Sequence, residues 1–171
     1  MDFQKIFDDA WGIASLKLAV MRKVGADKEA LHPALLIMAF SAIAAGLGLF
    51  ILPPSIGSFI TYRIGLIDVL SQGLVIFAFS VASLYLAGYL AENMFKAKVD
   101  MQHYVRVLGY GSIVGFLAIV PALGVIGTIW QFVIMWKYLR EVGKMEVGAI
   151  ILLLILQAII MGAAASYYTF L

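Results

Sequence analysis

The sequence predicts an all-α integral membrane bundle of five transmembrane helices with an N-terminal amphipathic helix. Three observations predict it. Of 171 residues, 64% are apolar and 13% are charged, against ~45–50% and ~25% in soluble domains. Mean hydropathy is +1.02. The Lys and Arg residues are gathered between alternate apolar runs, as cytoplasmic loops require.

The arm comes first. Residues 2–24 read as one amphipathic helix. Phe3, Ile6, Phe7, Ala10, Trp11, Ala14, Leu18 and Met21 share one face, with Gln4, Lys5, Asp8, Ser15, Arg22 and Lys23 opposite. Lys17 falls on the apolar side, where its stem can snorkel. Three readings stay open: the arm lies in the inner membrane interface, it packs on the bundle as a cap, or it binds a partner. The start, MDFQKIFDDAW, is acidic. The first apolar run, which follows it, is therefore expected to be retained as a start-transfer helix rather than cleaved.

A helix needs ~20 apolar residues to cross the bilayer. Residues 33–52 and 69–91 each supply one uncharged run of that order, and residues 147–171 supply another. Residues 107–136 are thirty uncharged residues, about 45 Å as one helix and too long for one crossing without heavy tilt. Pro121 near their middle removes a donor and disfavours helix at Val120. One kinked helix and two short spans joined by a hairpin compete. Charge separates them. With five spans, eleven of the twelve basic residues lie inside and only Arg63 outside; with four, eight lie inside and four outside. The expected organisation is a cytoplasmic arm, residues 1–30, and a five-span domain, residues 31–171. Its spans are about 33–52, 67–91, 104–120, 123–139 and 147–168. The N-terminus is cytoplasmic and the C-terminus outside. Tyr89, Tyr104, Trp136 and Tyr138 fall at inner ends, and Tyr62, Tyr167 and Tyr168 at outer ends, where aromatic belts belong.

Several chemistries are excluded. Zero cysteines leave no disulfide, thiolate metal site or Cys nucleophile. His32 and His103 cannot build a zincin-type site, and HExxH, GxSxG and GxxxxGK[ST] are absent. A net charge of +2 is too small for a nucleic-acid partner. No enzyme activity, cofactor or metal is expected.

Polar residues near or within spans are the candidate site residues. Asp68, Gln72, Gln131 and Gln157 form a candidate intramembrane polar path. The alternatives are a helix cap for Asp68 and interhelical hydrogen bonds for the glutamines. Glu92, His103, Arg106 and Arg140 form a candidate partner-facing cytoplasmic rim, or else a solvated ion-pair rim. Gly111 and Gly115 make a GxxxG, and Ala42 with Gly46 and Ala158 with Gly162 are small-xxx-small pairs that predict close helix packing.

Residues 103–160 resemble the Yip domain family, named for interaction with Ypt/Rab GTPases. Tyr104, the run Leu108-Gly109-Tyr110, Pro121, Trp136 and the loop REVGKMEVGA at 140–149 carry the resemblance. It implies a five-span bundle with a cytoplasmic N-terminus, and in eukaryotic members a role in vesicle trafficking and membrane shaping. The DLxGP-like segment expected before the first span is absent, and no functional residues are carried over. The leading expectation is a non-enzymatic membrane-organising or trafficking adaptor in the cell membrane, or an endomembrane if eukaryotic. Its partners would be the lipid bilayer and either a membrane-associated protein or a second copy. The alternative is a small solute or ion transporter or channel.

Overall fold

The computed structural model describes residues 2–51 and 65–169, with side chains described over the same stretches except at 49–51, 66, 68, 121 and 161–169. Its regular elements are helices: α1 (Phe3–Ala14), α2 (Leu18–Ala26), α3 (Leu31–Ile51), α4 (Leu66–Asn93), α5 (Met101–Gly111), α6 (Pro121–Glu141) and α7 (Val147–Thr169). Two 3-10 segments join them, Lys28–Ala30 before α3 and Ser112–Ile119 after α5. The loop expected on the outer side, with Pro53, Pro54, Tyr62 and Arg63, lies outside the described residues.

The arm is two helices, not the single one expected. Asp2 caps α1 by accepting from the Lys5 amide at 3.1 Å. At the other end the Leu16 amide donates to Ile13 O (2.9 Å) and the Lys17 amide to Gly12 O (3.0 Å). That pairing is a Schellman stop. Leu16 sits in its left-handed position with φ 60°, a place usually taken by glycine.

Five rods follow, and they alternate in direction. Gly46 of α3 packs on Val69 of α4, and Gly88 at the other end of α4 packs on Met101 and Tyr104 of α5. The chain turns back at Val120, which is extended, and Pro121, which takes the first turn of α6. Pro is suited to that place because its missing N–H would have no partner there. Residues 107–136 are thus a hairpin, with Gly127 against Val114. α7 returns beside α4, where Gln157 meets Ser83.

The middle rod changes helix type at Ser112. A 3-10 helix rises ~2.0 Å per residue against ~1.5 Å for an α-helix. Residues 104–119 therefore reach about 28 Å, where a continuous α-helix would reach about 24 Å. Parallel to this rod, α3 sits so close that side chains at two places would not fit: a Cβ on Gly115 would fall on Ser41 Oγ, and one on Gly48 on Ala118 O. Gly115 of the GxxxG pair therefore works within the chain.

The core lies at the arm end. Tyr104 through Gly111 are all buried, covered by α1 and α2 on one side and by α3, α4 and α6 on the others. Among the described residues, three helices are long and apolar enough to cross a membrane, over Lys28–Gly48, Val69–Asn93 and Ala122–Glu141, and a shorter apolar helix covers Val147–Ile160.

Candidate functional site

A helix ends with carbonyls that lack intrahelical partners and carry partial negative charge. Both arm helices end this way, and the bundle supplies the partners. Arg106 of α5 donates from Nη1 to Gly25 O of α2 at 2.7 Å. Trp130 of α6 donates from Nε1 to Ala14 O of α1 at 2.8 Å. The Lys23–Asp9 ion pair at 2.8 Å ties α2 to α1. Lys23 is half exposed, so the pair contributes ~0–1 kcal/mol.

Arg106 is therefore not on the rim. It is 6% exposed, and its Nη2 donates to Gln102 Oε1 at 2.9 Å. The cause is the arm, which roofs this face of α5. His103 sits one turn earlier, half-buried, with Nδ1 and the Tyr138 hydroxyl sharing a 2.6 Å hydrogen bond and the rings stacked. A Cβ on Gly25 would land on the His103 ring. Glu92 and Arg140 are exposed. Glu92 accepts from the Met101 amide at 2.8 Å and so joins α4 to the start of α5. His103 and Arg106 thus converge under α2, and Arg140 stands apart.

Burial holds the His103 imidazole below its usual 6.5; Arg106 adds to this, while Asp100 and a backbone hydrogen bond oppose it. Between the native value and 6.5 the unfolded chain binds a proton that the folded chain does not. The contribution of His103 to stability is expected to be flat above pH 6.5, to fall as pH drops from 6.5 to the native value, and to level off below it. Thermal unfolding in detergent from pH 8 to 5 checks this. His103→Asn, which removes the titrating ring, is expected to flatten the low-pH decline.

Two of the four residues of the expected polar path lie at separate helix seams. Gln131 donates to Leu108 O at 3.2 Å, between α6 and α5. Gln157 donates to Ser83 Oγ at 2.9 Å, between α7 and α4. Gln72 is part-buried in α4, and the Asp68 side chain lies outside the described residues. No group of three His, Asp or Glu among the described residues is placed to hold a metal ion.

A feature the sequence did not isolate lies on α1. At ~100° per residue its surface divides into three arcs. Asp9, Ala10 and Ile13 are buried on the bundle. Gln4, Lys5 and Asp8 are exposed on the polar arc. Between these arcs run Phe3, Phe7 and Trp11, which are 75%, 59% and 62% exposed. The aromatic row overhangs a groove of about 950 Å³ whose floor is the Ser112–Ile119 segment and whose far walls are α3 and α6. The expected single apolar face is thus split: Ala10, Ile13 and Ala14 dock on the bundle, and the large rings stay exposed at the lip of the groove. Part of the signal in the sequence was residue size, since small Ala10 and Ala14 let α1 approach closely.

Alternating apolar rods, a buried arginine under a helical cap and an exposed aromatic row define a polytopic helical membrane protein. A family model for the Yip1 domain matches residues 17–167. The chain belongs to the Yip1 domain family. No curated protein and no solved structure matches it.

Proposed function

We propose that this protein is a non-enzymatic, five-pass membrane-organising protein whose arm lies in the cytoplasmic interface as a rigid wedge. The carrying observation is the aromatic row of α1. Two contacts to the bundle, Arg106 with Gly25 and Trp130 with Ala14, support a fixed pose for the arm. A helix held this way, apolar toward lipid and polar toward water, adds area to one leaflet. The five crossings rest on α3, α4, α6 and α7 together with the middle rod. Its stretched 3-10 half supports a span close to the ~30 Å hydrocarbon thickness. The arm is residues 1–30, the membrane domain residues 31–171, and the exposed Glu92 and Arg140 are the surface a membrane-associated protein partner would meet. The transporter reading has less support, because Gln131 and Gln157 belong to separate helix seams.

Two measurements test this. Reconstituted into liposomes, the protein is expected to shrink or tubulate vesicles, and Phe3→Ala with Phe7→Ala and Trp11→Ala is expected to abolish the effect without unfolding the bundle. Unchanged vesicle shape with the parent protein would overturn the reading. For orientation, Ala122→Cys is expected to react with an impermeant thiol reagent from outside, and Gly143→Cys only after permeabilisation.

A further inference from the structure

We propose that the groove between α1 and the bundle is a binding site for an acyl chain of a cytoplasmic-leaflet phospholipid. The inference deepens the interfacial placement of α1 and rests on it. The floor is Ile113, Val114 and Leu117, and Ile126 closes the far wall. Ser15 is the one hydroxyl among the lining side chains. The Trp130 N–H, the other polar group there, already donates to Ala14 O. A polar ligand would lose its water without gaining partners, whereas an alkyl chain loses nothing. At about 950 Å³ the open groove falls within the ~300–1,000 Å³ of ligand clefts and cavities.

The occupant follows from what the groove is continuous with. Phe40 on one lip and Ile126 on the other are exposed, and Ile129 continues the surface of α6. These faces belong to helices long and apolar enough to cross the bilayer, so acyl chains are the medium that reaches both lips. The rings of Phe7 and Trp11 roof the groove. A chain beneath them is shielded from exchange on that side, unlike lipid on the open face of α7.

The test uses the full chain reconstituted in phosphatidylcholine–phosphatidylglycerol vesicles, re-extracted in mild detergent and examined by native mass spectrometry. The parent protein is expected to retain one phospholipid per chain. Val114→Phe and Ile126→Phe, which fill the groove, are expected to lose it, while Leu152→Phe on the exposed face of α7 is expected to keep it. Independently, brominated acyl chains are expected to quench Trp130 in a Trp11→Phe, Trp136→Phe background after re-extraction, which requires no groove variant to fold. Retention unchanged by Ile126→Phe, or no quenching of Trp130, overturns the proposal. A dimer that the groove variants dissociate overturns it in favour of a second copy. Lost retention with vesicle shaping intact separates this site from the wedge. Retained lipid without shaping removes the wedge and leaves the site.

Discussion

Arg106→Met is expected to cost about 2–3 kcal/mol, the scale for hydrogen bonds from a charged donor, and to free the arm from the bundle. Methionine keeps the apolar stem and removes both donated bonds, leaving Gly25 O buried without that partner, while the exposed Gln102 can turn to water. The helix-terminal charge complement is lost with them. Thermal unfolding in detergent measures the cost. Limited trypsinolysis at Lys17, Arg22 and Lys23 measures the release, and faster cleavage there with the bundle intact is the expected pattern. Arg106→Lys restores the charge but not the two-pronged fork, so it is expected to fall between. Cleavage at the parent rate in Arg106→Met would show that the arm is held by packing alone.

Gly48→Leu is expected to be the more damaging change to the bundle, at about 3 kcal/mol. Its new Cβ would meet the Ala118 carbonyl and lie 3.3 Å from the Ile119 carbonyl carbon. These are backbone atoms, which cannot rotate aside as a side-chain tip can. Either α3 moves off the Ser112–Ile119 segment or the segment unwinds. The matched control is Gly148→Leu near the start of α7, where a Cβ meets nothing within 4 Å. There the substitution is expected to be neutral or stabilising by up to ~1 kcal/mol, through helix propensity. Melting temperature and monodispersity in size-exclusion chromatography distinguish the two.

The apolar helices α3, α4, α6 and α7 were legible because length and apolarity are one-dimensional properties. The turn at Val120 was legible because Pro121 acts on its immediate neighbours. The break in the arm was not, because Leu16 occupies a left-handed position for which leucine carries no signal. The switch to 3-10 helix at Ser112 was not, because apolar content is the same in either helix. Arg106 was misplaced for a different reason. Its acceptor is a backbone carbonyl 81 residues away, and every residue has a carbonyl, so no residue type marks the partner. The groove was hidden because the three aromatic rings and the two alanines, Ala10 and Ala14, satisfy the same apolar periodicity while facing different surroundings.

The caps of the two arm helices have a consequence for the order of events during synthesis. The arm leaves the ribosome first, yet Arg106 and Trp130 are translated long after it. Helices of 12 and 9 residues are marginal in water on their own, because nucleation outweighs so few propagated turns. The arm is therefore expected to keep fluctuating until the hairpin around Pro121 supplies the donors that cap its two helices. Its helices thus settle after α5 and α6, though they precede both in the sequence.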